Sequence, residues 1–289
     1  MASSMQVAAG GYAFHIRAVA GVESCCAIES VDVAFDMGCC FSRAARKSHV
    51  FITHGHVDHV GAFSTHAARR NLLGMAPANY YVPAHLVGSM QRIMENISAM
   101  QGDEIKANIV PIRAFEEIHI SAQWMVKAVP TVHRVPSFGY IVYRKLSKLK
   151  DEYVGLPGKE IAALKRTGVD VTTTTTTPEI AYTGDTTAQI FESLTFRGGD
   201  VEEQPNDFLH VKVLITEATF VDDAKSATHA TSRGHIHLDQ LIELADRFEH
   251  VQSIILVHFS ARYDPKLLGV ILDRKVPAAF RSKLIIGHE

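Results

Sequence analysis

The stretch "FITHGHVDHVGAF", residues 51–63, restricts the fold more than any other part of the chain. An apolar run of β type ends here and a helix-like stretch begins, with His54, His56, Asp58 and His59 crowded into the junction. A strand ending at Thr53 aims His54 and His56 out of a sheet edge, and a helix beginning near Val57 presents Asp58 and His59 from its first turn. Imidazoles and a carboxylate are the ligand types that suit zinc and similar divalent ions. The two histidines with one further ligand make one metal site, and Asp58 and His59 have the offset to serve a second beside it. The chain therefore needs a sheet edge to carry the cluster and more strands to complete it.

The rest of the sequence supplies such strands. Val31–Phe35, Val50–Ile52, Tyr80–Val82, Trp124–Val129, Gly139–Tyr143, Ile180–Tyr182, Val211–Thr216 and Ile254–Val257 are short, apolar and rich in β-branched and aromatic residues. Between them, 57–73, 85–100, 188–194, 237–249 and 265–274 carry apolar residues at helical spacing. This alternation predicts a layered α/β protein. Three further ligand candidates fall where such strands end: His133 in "VPTVHRVPSFGY", Asp185 in "EIAYTGDTT" and His258 in "SIILVHFSARY". Each taken alone is an ordinary loop residue; at strand ends in a chain that already holds HxHxDH they become ligands for the same ions.

Composition narrows the function classes. With 47% hydrophobic and 21% charged residues the chain of 289 is an ordinary globular protein. No composition shift marks a domain boundary, so a single domain over 1–289 is expected. A formal charge of -2 demands that any nucleic-acid contact use a local basic patch. The cysteines form two vicinal pairs, Cys25–Cys26 and Cys39–Cys40, which suit neither disulfides nor a zinc knuckle and read as reduced thiols. No apolar run approaches the ~18 residues of a membrane span. The N-terminus lacks the charged start and clean apolar core of a signal peptide, and is a weak transit-peptide candidate. A soluble, intracellular and cytoplasmic protein is the expectation, with nucleus and organelles left open.

Taken in order, HxHxDH, His133, Asp185 and His258 resemble the metallo-β-lactamase fold superfamily. "HRVPSFGY", "GDTT", "TEATFVDDA", "GHIHL" and "VHFSARY" resemble more narrowly tRNase Z (ribonuclease Z) in its short form, the endonuclease that trims the 3′ trailer of precursor tRNA. The matches run from about Gly21 to Tyr263. The resemblance implies a four-layer αβ/βα sandwich with metals at one edge of two facing sheets. It implies two zinc ions per subunit, with manganese or iron as chemically admissible substitutes. His54, His56 and His133 would hold one ion, Asp58, His59 and His258 the other, and Asp185 would bridge them. It also implies that Asp58 accepts a proton from the attacking water, that Glu217 and His235 protonate the departing 3′ oxygen, and that the protein is a homodimer.

Two departures from the family pattern matter. "GHIHL" replaces the usual His-Ser-Thr, which leaves His237 as a rival to His235 for the acid, although the helix that follows favours His235. The arm between the third ligand and the bridging aspartate is short, a compact excursion at 144–178 that contains the run Thr172–Thr177, expected in a surface loop or at a sheet edge. Arg144, Lys145, Lys148, Lys150, Lys165 and Arg166 lie there and are the candidates for RNA phosphate contacts, with Arg69 and Arg70 as weaker ones. A polar stretch at 196–208 reads as an exposed connection, and His288 near the end as a surface residue. The competing readings are a small-ester or cyclic nucleotide phosphodiesterase on the same metal centre, and a catalytically silent RNA-binding relative.

Overall fold

The computed structural model describes residues 4–193, 195–198 and 201–288. It opens with an antiparallel meander that the sequence pattern does not mark: β1 (Met5–Ala9), β2 (Tyr12–Ala20) and β3 (Glu23–Ile28). The alternation is blurred because β3 buries Cys25, Cys26, Ala27 and Ile28 in succession, having core on both faces. From there β4 (Val33–Phe35), β5 (His49–Phe51), β6 (Asn79–Pro83) and β7 (Asn108–Ile112) continue the sheet in parallel, in the order β1 to β7. Helices α1 (Val57–Val60), α2 (Phe63–Leu72) and α3 (Val87–Gln101) connect these strands, and Phe63, Ala67, Met90 and Met94 pack α2 and α3 on the outer face.

The second sheet runs β8 (Glu117–His119), β9 (Trp124–Pro130), β10 (Phe138–Leu149) and β11 (Thr172–Tyr182), with α4 (Gly158–Arg166) between β10 and β11. A separate hairpin, β12 (Thr195–Gly198) with β13 (Val201–Pro205), follows where an exposed connection was expected; Gly199 and Asp200 within it lie outside the described residues. The sheet is completed by β14 (Val213–Glu217), β15 (Ser253–Val257) and β17 (Leu284–Ile286), in the order β17-β15-β14-β11-β10-β9-β8. Helices α5 (Ala227–Ser232), α6 (Leu238–Glu243), α7 (Pro265–Lys275) and α8 (Ala278–Arg281) belong to this half, and the short β16 (Phe259–Ser260) crosses over to pair with β2.

The two sheets face each other across one apolar core. Phe14, Phe35 and Phe51 of the first meet Val126, Tyr140, Ile180 and Ile215 of the second, so the architecture is the expected αβ/βα sandwich. Phe35 stacks on Tyr182, with ring centroids 5.0 Å apart, and on Tyr140. Both tyrosines also reach across with their hydroxyls, Tyr140 to the Ile52 carbonyl and Tyr182 to the Asp36 carboxylate. These rings fix the register of the two sheets at the edge that carries the ligands, and burying one such side chain contributes on the order of 2–3 kcal/mol.

Several expected elements change form. The helix expected over 57–73 breaks at Gly61–Ala62 into α1 and α2, so α1 is a single turn that aims its side chains at the site. The helix expected over 188–194 is a 3-10 turn, Ala188–Phe191, and Leu194 lies outside the described residues. That over 237–249 is α6 followed by another 3-10 turn. The threonine run, by contrast, lies at a sheet edge as expected: it forms half of β11, paired with β10 from Arg144↔Thr177 to Leu149↔Thr172, with no second strand beside it among the described residues. Threonine favours strands and is soluble when exposed, so this hairpin continues beyond its sheet neighbours. β9 stops pairing β10 at Arg144, and β14 meets β11 only at Ile180–Tyr182. His288 is not simply on the surface; it is half-buried, its ring packing near that of Phe259. The cysteines are free thiols, with Cys25 and Cys26 buried.

Candidate metal centre

The cluster at 54–59 sits at the C-terminal edge of the first sheet. β5 ends at Phe51, Thr53 and His54 are completely buried, and α1 starts at Val57. His56 is the residue before α1 and Asp58 and His59 lie in its only turn, both buried. From the facing sheet come His133 in the β9–β10 connection, Asp185 after β11 and His258 directly after β15. Every candidate ligand is thus brought to one sheet edge, including pairs as far apart as Asp58 and His258, whose Oδ2 and Nε2 are 3.3 Å apart.

Donor atoms fall into groups. One atom from each of His54, His56, His133 and Asp185 lies within 4.8 Å of the others, and the same holds for Asp58, His59 and His258. Asp185 stands between the groups. Its Oδ2 is 3.9 Å from His54 Nε2 and 4.0 Å from His133 Nε2, whereas its Oδ1 is 3.4 Å from His59 Nε2 and 3.3 Å from His258 Nδ1. The imidazoles are held by their other nitrogens: His59 Nδ1 is 2.7 Å from Asp36 Oδ2, His54 Nδ1 is 2.9 Å from Thr53 Oγ1, and His133 Nδ1 donates to the Gly234 carbonyl at 2.8 Å. Such contacts fix the tautomer and leave the inward nitrogens free to bind a cation.

The electrostatics call for cations as well. Burial and the neighbouring His59 push the His54 pKa well below its usual value, which keeps it a neutral ligand. At His59 burial opposes the cation, but the carboxylates of Asp185 and Asp36 outweigh it and hold the pKa well above the ordinary range. Asp185 shows the converse: burial raises its pKa, while His258 and His59 together take it well below normal. Asp36, Asp58, Asp185 and Glu217 are all buried here, with imidazoles, hydroxyls and backbone amides as partners. Buried carboxylates in this number need positive charge, and the donor set fits divalent metal ions.

Beside the ligands lies a second arrangement. Glu217 ends β14 and accepts from the amides of Thr186 (2.8 Å) and Ile236 (3.1 Å) and from the Thr219 hydroxyl (2.5 Å). So fixed, its Oε1 is 3.0 Å from His235 Nδ1, and that nitrogen is 3.9 Å from Asp185 Oδ2. Burial disfavours the His235 cation, yet Glu217 overcomes this and lifts the pKa to about 9. Gly234, at φ +79°, lets this turn pass tightly over His133, where a Cβ would come within 2.6 Å of Nδ1. His237 faces elsewhere. It is the N-cap of α6, its Nδ1 accepting from the Asp239 amide, and its Nε2 donates to the Asp222 carbonyl.

The basic candidates are less uniform. Lys148, Lys165 and Arg166 are exposed on the β10–β11 hairpin and α4. Arg144 lies over the Trp124 ring, Lys145 donates to His119, and Lys150 is 3.9 Å from Asp170. Arg70 is no RNA contact: it is buried, and its guanidinium donates to the carbonyls of Ala45, Lys47 and Ala76.

Sequence reasoning missed Asp36 and Thr53. Asp36 receives hydrogen bonds from Thr53 and Tyr182 as well as holding His59, and adopts φ 56° to do so. Among the described non-glycine residues only Asp36, Phe115 and His258 have positive φ, so two of the three strained positions belong to this site. The signal for Asp36 was available, since "VAFD" places a carboxylate at a strand end by the same rule that found His133, Asp185 and His258.

Comparison with known proteins finds relatives over most of the chain. The family described as "Beta-lactamase superfamily domain" matches residues 41–259. The chain is 40% identical to tRNase Z TRZ1 of Arabidopsis thaliana over 256 residues, covering 89% of this chain and 88% of that one. It is 35% identical to tRNase Z TRZ2, chloroplastic, of the same plant, covering 87% and 68%. The crystal structure of human tRNase Z, short form, shares the fold with a TM-score of 0.52 at 18% identity, covering 99% of this chain and 93% of the human one.

Proposed function

The chain belongs to the metallo-β-lactamase superfamily and, within it, to the tRNase Z family, and from that membership we propose how its residues remove the 3′ trailer of precursor tRNA. It is a metal-dependent endoribonuclease that hydrolyses a phosphodiester and leaves a 3′-hydroxyl. His54, His56 and His133 would hold one divalent ion and Asp58, His59 and His258 the other, with Asp185 between the two groups; zinc suits this donor set best. Two such ions, when bound, acidify a water and neutralise charge on the phosphoryl oxygens.

The side chains do the rest. Asp58, oriented by the Gly21 amide that donates to it at 2.8 Å, would receive the proton of the attacking water. His235 delivers a proton to the departing 3′ oxygen, and Glu217 keeps it charged and oriented for that task. The observation that carries this reading is the Glu217–His235 contact at 3.0 Å, set against Asp185. A small ester with a good leaving group needs no such acid, and a silent RNA-binding relative has no use for an unbroken ligand set.

Lys148, Lys165 and Arg166 grip RNA phosphates from the β10–β11 arm, with Arg144 and Lys145 at its base and Lys150 at the outer end of β10. A homodimer lets the arm of one subunit hold tRNA in the site of the other. The protein works as one domain with this arm as its insertion. Among the described residues no helix is long and apolar enough to cross a membrane; with one relative named as chloroplastic and another, of Triticum aestivum, as a nuclear ribonuclease Z, the compartment follows the precursor it serves. Cleavage of a 3′-extended precursor tRNA, mapped at nucleotide resolution, tests the reading. A cut beside the discriminator base with a 3′-hydroxyl is expected; intact precursor alongside hydrolysis of a small phosphodiester overturns it.

A further inference from the structure

A cavity of about 500 Å³ opens beside the ligand cluster and has no part in the chemistry described so far. Pro83, Ile112, Pro130 and Phe138 form apolar walls, and the exposed His85 and Arg113 add cationic or hydrogen-bonding groups to its lining. The wall residues end β6, β7 and β9 and begin β10, which puts the cavity on the same edge as the ligands.

Strand order fixes its position along that edge. In the second sheet the sequence of groups is His258 after β15, Glu217 at the end of β14, Asp185 after β11, then His133 between β10 and β9. The cavity shares β9 and β10 with His133, through Pro130 and Phe138. In the first sheet His54 and His56 follow β5, and the cavity lies at β6 and β7. Neighbouring strands are about 4.8 Å apart, so the cavity begins about one strand spacing from the His54–His56–His133 group, on the side away from Glu217 and His235.

Its walls are continuous with the ligand loops. Thr131 and Ser137 close the base of the His133 loop, with their hydroxyls 2.6 Å apart, and the Phe138 amide donates to the Thr53 carbonyl at 3.0 Å. On the other side Leu86 covers Gly55, where a Cβ would approach Leu86 Cδ2 to 2.9 Å.

We propose that this cavity receives the base of the first trailer nucleotide, immediately 3′ of the cleaved bond, and that Arg113 contacts the phosphate that follows it. The inference rests on the precursor-tRNA reading above. His235 protonates the 3′ oxygen of the retained RNA, so that RNA occupies the Glu217–His235 side. The phosphate left on the trailer then leads the other way, toward the cavity. Apolar walls accept the faces of any base.

The test compares metal-loaded wild-type protein with Ala84→Trp, which fills the cavity mouth from an exposed position. With wild type, an abasic first trailer nucleotide lowers kcat/KM about tenfold, the scale of one lost base–protein stack, and an abasic third nucleotide changes it less than twofold. Ala84→Trp carries the same loss on the natural precursor and loses nothing more with the abasic one. Hydrolysis of methyl 4-nitrophenyl phosphate, a small ester whose methyl group does not reach the cavity, is equal in both proteins, which shows that fold and metals are intact. Independently, 4-thiouridine at the first trailer position photocrosslinks to residues 112–114 or 136–138. No abasic penalty in wild type, a penalty that persists in Ala84→Trp, or crosslinks elsewhere overturns the proposal. If wild type hydrolyses the small ester but leaves the precursor intact, the precursor-tRNA reading falls and takes the assigned ligand with it.

Discussion

The metal centre and the β10–β11 arm hold polar residues under opposite physical regimes. At the centre, His54, His59, Asp36 and Asp185 are buried to within a few per cent, and each is held by partners from other elements. On the arm, Lys148, Lys165 and the threonines 173–176 face solvent, and α4 buries no residue fully. In the first regime desolvation makes every unpaired group costly, so geometry is over-determined and a single change has a large effect. In the second, water and salt screen each charge, so contacts are individually weak and exchangeable.

The sharpest test of that contrast is Asp185→Ala. Removing the carboxylate between both ligand groups is expected to abolish precursor cleavage, by more than about a thousandfold, with loss of bound metal by elemental analysis. Retention of both metals and of cleavage would show that the centre does not depend on the bridge.

Glu217→Gln comes next, with cleavage reduced about a hundredfold and hydrolysis of bis(4-nitrophenyl) phosphate changed little, since that leaving group needs no proton. The pH profile carries the sign. His235 is raised to about 9 by Glu217, and an acid works only while protonated, so activity is lost as pH rises through its pKa. Without the carboxylate that pKa drops, and the alkaline limb of kcat/KM moves to lower pH. A limb that stays in place assigns the proton to another group.

Asp36→Asn probes the support beneath the ligands. Asparagine tolerates the positive φ of this position but gives up the carboxylate beside His59 Nδ1, and metal affinity is expected to fall about 10–100-fold, read by chelator competition. The smallest effect belongs to the arm. Lys148→Ala with Lys165→Ala should raise KM several-fold, leave kcat and the unfolding midpoint unchanged, and lower the salt slope of binding by roughly 0.7–0.9 per lysine that meets a phosphate. A large drop in kcat from these exposed lysines would erase the contrast.

How far the sequence could be read follows the same division. The cluster of candidate ligands was legible because each member sits at a strand end beside a local pattern, and strand ends are set by short-range preferences. The β10–β11 arm was visible only as composition: a threonine run is compatible with loop or strand until a partner fixes it, and here the partner is β10. In the opening meander β3 escaped because a strand buried on both faces loses the alternation that announces it.

By itself, then, the sequence determined the α/β layering, the metal-binding residue types and the candidate acids, all of which depend on neighbours within a few positions. Only the tertiary structure sets His235 and His237 apart, by bringing Glu217 to 3.0 Å from one and leaving the other as the cap of α6. It alone recruited Asp36 and Thr53 to hold the ligands, and set a cavity beside His133 from the ends of strands in both sheets. The physical reason is range. Backbone preference and side-chain chemistry act over a turn or a strand, whereas orientation, burial and charge balance arise where residues remote in the chain, such as Asp58 and His258, are packed into contact.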